Sequence, residues 1–268
     1  MNRGLVAKAL RETLATTLTI GVALLAAEML LAYVLPTFGG DIADQLQRLP
    51  FLKNMIAALV GAEVRELSAE LFQALPWVHP VPLALVWSHA IVTCTRVPTG
   101  EIERGTIDSF LTLPVSRWHV HRAEVLVALF GSFTLVAFAI SGNLAGGSIA
   151  GFMPRLDRVG IVALNLLAMH ITVAGAAAAI GSLGERRGRA IAWVAGIVLA
   201  SLLLNFLAQF WQPAKHVAFL SLMNYLRPID VMRTGLWPWR DLGVLFGLAL
   251  VLWGLAGWRL SRRDLASL

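Results

Sequence analysis

Long apolar runs separated by short polar connections set the pattern of the chain. A helix rises about 1.5 Å per residue, so about 20 apolar residues carry it across the hydrocarbon core of a bilayer. Six runs have that size, at about 13–35, 78–97, 120–143, 159–182, 190–210 and 242–258. Pro36 with Gly39-Gly40 marks the end of the first, Gly146-Gly147 the end of the third and Pro213 the end of the fifth. Lipid offers the backbone no hydrogen-bond partners, so spans of this kind must be helices packed on one another. The pattern therefore predicts an all-α, polytopic membrane helix bundle with six transmembrane helices, forming a single domain over 1–268.

Two polar interruptions are longer than a plain connection. Between the first and second runs, apolar positions from Ile42 to Leu71 recur at intervals of three and four, with Asp44, Glu63, Glu66 and Glu70 between them. This spacing predicts amphipathic outer helices, broken near Pro50 and Gly61. The segment 212–241 carries Trp237 and Trp239 and follows directly on Trp211, and these suit the interfacial aromatic belt. Its apolar piece, 217–226, is too short to span and predicts an interfacial or re-entrant helix.

Composition agrees with the pattern. The chain is 57% hydrophobic and 14% charged, and its mean hydropathy is +0.72. Soluble domains hold about 25% charged residues. The net charge of +6 comes from Lys and Arg dispersed over the loops, which the positive-inside rule explains without nucleic acid. Arg3, Lys8 and Arg11, then Arg104, Arg117 and Arg122, then Arg186, Arg187 and Arg189, then Arg259, Arg262 and Arg263 fall on one side of a six-span topology. That side is expected to be cytoplasmic, with both termini there and the protein multi-pass in the cytoplasmic (inner) membrane. The first run is longer than a signal-peptide core of about 7–15 residues and is expected to stay as an anchor. One cysteine, Cys94, leaves no intrachain disulfide.

The polar insert at 100–121 is the most informative stretch. Pro98 breaks the preceding run, Thr99 can cap a helix, and Glu101 and Glu103 suit a first turn. On a helical wheel Ile102, Ile107, Phe110, Leu111 and Leu113 share one side, while Glu101, Arg104, Asp108, Ser109 and Thr112 share the other. Arg104 can pair with Asp108. Pro114 stops this helix and Ser116 caps the next. The expectation is an amphipathic helix over about 101–113, with Glu101 among its outward polar residues.

The residues Glu101, Glu103-Arg104-Gly105-Thr106, then Leu111, Leu113-Pro114-Val115-Ser116-Arg117 resemble the E-x-E-R-G-T … L … P-V-S-R signature of the type-2 permease superfamily of ATP-binding cassette (ABC) transporters. Pro228, Trp237-Pro238-Trp239 and the tail Ser261-Arg262-Arg263-Asp264-Leu265 are similar to that family as well. The resemblance implies that the insert is a cytoplasmic coupling helix between spans 2 and 3. Its candidate residues toward a partner ATPase are then Glu101, Glu103, Arg104, Gly105, Thr106, Asp108, Pro114, Ser116 and Arg117. It also implies a second permease subunit, same or related, and two copies of the ATPase, which would bind the ATP and Mg. The chain has no G-x-x-x-x-G-K-[ST] loop of its own. No cofactor or metal is expected in it.

Polar groups inside the runs are costly in lipid and face the bundle interior. Glu28, His89, Asn143 and His170 are candidates for a substrate path; hydrogen-bonded links between helices are the blander explanation for them. The alternative function is a non-transport membrane protein, either a scaffold or an intramembrane enzyme. No H-E-x-x-H or G-x-S-x-G pattern favours the enzyme.

Overall fold

The computed structural model describes residues 3–37, 69–107, 112 and 115–263. Among these residues the regular structure is entirely helical, and six helices are long and apolar enough to cross a membrane. The expected amphipathic helices between 41 and 68 lie outside the described residues. So do Asp108 and Pro114.

The spans are α1 (Arg3–Thr37), α2 with α3 (Ala69–Val78 and Pro80–Cys94), α5 (Arg117–Ile149), α6 (Leu156–Leu183), α7 (Arg187–Leu207) and α10 (Trp239–Arg262). The short α4 (Glu101–Glu103) lies between spans 2 and 3, and α8 (Gln212–His216) and α9 (Pro228–Thr234) lie between spans 5 and 6. Four of the six spans extend past both ends of the apolar runs. Charged residues such as Arg3, Lys8 and Arg11 continue the helical hydrogen bonding where it enters water. The second span instead begins earlier than the run at 78, at Leu71, and bends at His79. There Pro80 and Pro82 lack amide protons, and the His79 ring accepts from the amide of Val81 at 3.3 Å.

The third span corrects one expectation. Gly146 and Gly147 do not end it; α5 continues through them to Ile149. A side chain at Gly142 would collide with the carbonyl oxygen of Leu25, and one at Gly146 with that of Met29. The two glycines are four apart, so they stack on one face of α5 and let α1 approach backbone to backbone. Outside water, small residues serve helix contact more than helix termination.

α6 is the central span, buried over most of its length. It packs against α3, α5, α7 and α10. Leu166, Met169, Val173 and Ala177 are among its buried residues. The segments between spans 5 and 6 close over one end. Asn165 donates to the carbonyl of Tyr225 at 3.0 Å and accepts from the amide of Arg227 at 2.9 Å. The expected helix over 217–226 is replaced by two 3-10 turns, Ala218–Leu220 and Leu222–Tyr225. Ser221 separates them by bonding back to Ser201, hydroxyl to carbonyl at 2.8 Å. Trp237 and Trp239 stack with ring centroids 5.0 Å apart.

The start of α1, the insert, the start of α5 and the end of α10 meet at the opposite end. Arg117 donates to the carbonyl of Arg263, and Arg263 donates to the carbonyls of Ser182 and Gly184 at 3.1 and 2.6 Å. The start of α1 and the end of α10 thus lie on the side that carries the insert.

Candidate functional site: the insert and its ion-pair cluster

The helix of span 2 ends at Cys94, and the chain passes through a wide turn over Arg96–Gly100 in which Val97 is extended (φ −118°, ψ 132°). Thr99 does not cap the insert; its hydroxyl donates back to the carbonyl of Thr95 at 2.6 Å. α4 has a single turn. Gly105, at φ 66°, sits in the left-handed region that a side chain disfavours. This turn ends α4, so the expected continuous helix from 101 does not form through 105. The amide of Thr106 then closes back on the carbonyl of Glu101 at 3.0 Å.

Ile102 and Ile107 are buried, and between them Glu103, Arg104, Gly105 and Thr106 are exposed. The insert therefore presents a four-residue polar tip on an apolar base. Glu101 is not on that tip. The wheel turned it outward, but its side chain is only 4% exposed. It takes Lys8 at 3.2 Å, Arg104 at 2.9 Å and the Thr106 hydroxyl at 2.5 Å. Arg104 pairs here with Glu101. Burial pushes the Glu101 carboxyl upward, but the Thr106 bond and the two cations outweigh it and hold it below the usual carboxylate range.

The cluster continues inward. Lys8 also meets Glu12 at 2.8 Å. Buried Arg96 donates to Glu12 and, through one guanidinium nitrogen, to both oxygens of Glu124 at 2.7 Å. Glu101, Lys8, Glu12, Arg96 and Glu124 thus form one chain of contacts that runs from the insert to α1, to the end of span 2 and to α5. Arg187, at the start of α7, donates to the carbonyl of Val92 at 2.7 Å and lies against Gly100. Ser116 caps α5 as expected, accepting from the amide of His119 at 3.3 Å. Arg117 is engaged with the end of α10 and is a fastening of the bundle.

In the sequence Lys8 counts only as one of the topology-setting charges, and Glu12, Arg96 and Glu124 are not singled out. Glu12 and Glu124 carried a signal, as acids at the edges of apolar runs. Nothing local indicated that Arg96 would join them.

The interior candidates form two separate groups. Glu28 is fully buried on α1, and Asn143 on α5 donates to it at 3.3 Å. Its Oε1 meets no hydrogen-bond partner among the described residues. His89 on α3 and His170 on α6 contact each other, Nδ1 to Nε2, at 3.1 Å. Thr17 and Ser132 flank the pair, at 2.9 Å from His89 Nε2 and 2.8 Å from His170 Nδ1. A serine beside a histidine invites comparison with a hydrolase. Ser132, however, lies within α5, where the surrounding backbone amides are engaged in the helix and none is free to stabilise an oxyanion.

These features define an all-helical protein with six helices able to span a membrane and an anchored polar tip at one end of its bundle. The chain belongs to the family described as "Multidrug efflux system permease Rv1217c, C-terminal domain", whose model matches residues 4–259. No curated protein and no solved structure matches the chain.

Proposed function

We propose that this protein is the membrane-spanning permease subunit of an ABC exporter of the type-2 superfamily, driven by a separate ATPase. The observation that carries the reading is the ion-pair chain from Glu101 through Lys8, Glu12 and Arg96 to Glu124. An exposed tip joined through a chain of ion pairs, buried at Glu101 and Arg96, to α1 and α5 transmits a displacement as a rigid body. The signature resemblance assigns that tip to an ATPase, and the family's printed name supports efflux.

In this reading Glu103, Arg104, Gly105 and Thr106 touch the ATPase, while Glu101 positions them from behind. Ser116 and Arg117 fix the start of span 3. Two ATPase copies bind ATP and Mg and close on each other, moving the two inserts of a pair of permease units. The insert side is cytoplasmic, in the inner membrane. Of the interior candidates, Asn143, His89 and His170 are engaged as links between spans. Glu28 is the one of these with a buried oxygen unpartnered among the described residues, and is the group assigned here to a substrate path.

Replacing Glu103 and Arg104 together by alanine tests the assignment. The variant should still insert into membranes but lose co-purification of the ATPase and ATP-driven efflux. Unchanged co-purification and efflux would remove the coupling role.

A further inference from the structure

The histidine pair has an accounting of protons that its geometry makes explicit. Five contacts run in series across four spans. The Thr17 hydroxyl lies 2.9 Å from the carbonyl of Thr13 and 2.9 Å from His89 Nε2. His89 Nδ1 lies 3.1 Å from His170 Nε2. The Ser132 hydroxyl lies 2.8 Å from His170 Nδ1 and 2.7 Å from the carbonyl of Ala128. Each hydroxyl brings one proton and each neutral imidazole brings one. That supply leaves one of the five contacts without a proton. One more ring proton completes the series: both hydroxyls donate to their own helix carbonyls, both outer ring nitrogens donate to the hydroxyls, and the last proton lies between the rings.

We propose that His89 and His170 form a single buried site that binds one proton, shared between the two rings and held by Thr17 and Ser132. The ligand is a proton from water, which leaves hydronium as neutral water. Binding completes the link across α1, α3, α6 and α5; release opens one of its contacts. A charge in the bundle interior is costly, and the site offsets this with charge-assisted bonds at both ends and delocalisation over two rings.

Two further observations place free space at the pair, on the His89 side. A cleft lined by Thr13, Thr17, His89, Thr93, His121 and Glu124 reaches it, with a central free volume of about 30 Å³, room for about two waters. Gly131 makes room for the His89 ring, since a Cβ there would lie 2.9 Å from Cε1. The titratable groups sharing the cleft are Cys94 on the histidine's own helix and His121 and Glu124 on α5, the last held by Arg96. α1 contributes Thr13 and Thr17 to this wall, α6 Ala178 and Ser182, and α10 Trp253. The site stands on hydrogen bonding alone and is testable on this chain without an ATPase.

The test is 15N NMR of histidine-labelled full-length protein in lipid nanodiscs from pH 8 to pH 4.5, with His170→Gln used to assign the signals. Both rings should change together, with one midpoint and an uptake of one proton for two rings. Ser132→Ala removes the acceptor of a charged N–H and should lower the proton affinity at least about tenfold; Thr17→Val should do the same from the other end. The proposal is overturned if both rings stay neutral throughout, if they titrate independently with two protons, or if neither variant moves the midpoint. Should either variant fail to fold, the wild-type titration decides alone.

Discussion

Lys8, in the first two turns of α1, holds Glu101 of the insert at 3.2 Å across 93 positions of sequence. The contact joins the N-terminal helix to the segment that carries the exposed tip. Lys8 is partly exposed, and such ion pairs contribute about 0.2–1 kcal/mol to stability. Lys8→Ala should therefore leave thermal unfolding within about 1 kcal/mol of wild type while reducing ATP-driven efflux in proteoliposomes well beyond that loss. Equal retention of efflux and stability would show that α1 does not carry the motion.

Arg96 and Glu124 sit deeper. Removing one partner of a buried ion pair strands the other charge and costs about 3–5 kcal/mol. Arg96→Met should destabilise the bundle on that scale in mixed-micelle unfolding. Adding Glu124→Leu to it should recover much of the loss, because the stranded inner carboxylate is then removed while Glu12 keeps its partner Lys8.

The α1–α5 contact depends on the missing side chains of Gly142 and Gly146. Gly142→Val should push α1 away from α5 at a cost of at least about 1–3 kcal/mol. Gly243→Ala is the matched control: it lies in a span with nothing within 4 Å of the added carbon, and should be neutral or stabilising by up to about 1 kcal/mol. Unfolding midpoints of the two variants, measured in the same detergent, make the comparison.

Glu101 gives the insert a pH dependence of known sign. Its carboxyl is held below the ordinary value of 4.5, so its contribution is fully present above that value and is lost as pH falls through the lowered one. Melting temperatures between pH 7 and pH 3 should fall less steeply for Glu101→Gln than for wild type. Identical acid slopes would mean that the carboxylate adds nothing to folding.

The spans were legible because twenty apolar residues in a row admit one structure in lipid. Their ends were less so, because Arg3 to Arg11 extend a helix that hydropathy alone stops. Gly146-Gly147 was read with the rules of water, where glycine ends helices. Its spacing from Gly142 held the better clue. The insert's place between spans 2 and 3 is legible, yet the wheel turns Glu101 outward because it assumes one unbroken helix and carries no sign of Lys8, 93 positions away. His89 and His170 were each recognised as buried polar groups; their pairing spans 81 positions and has no local signature.

The central claim is that the tip at Glu103 to Thr106 seats on an ATPase. Site-specific photo-crosslinking from position 103 or 105 in native membranes, with position 237 at the other end of the bundle as control, tests it most directly. A crosslink from the tip to a subunit that binds ATP is expected, and none from 237. Equal labelling from both positions, or tip products that contain no ATP-binding protein, would contradict it.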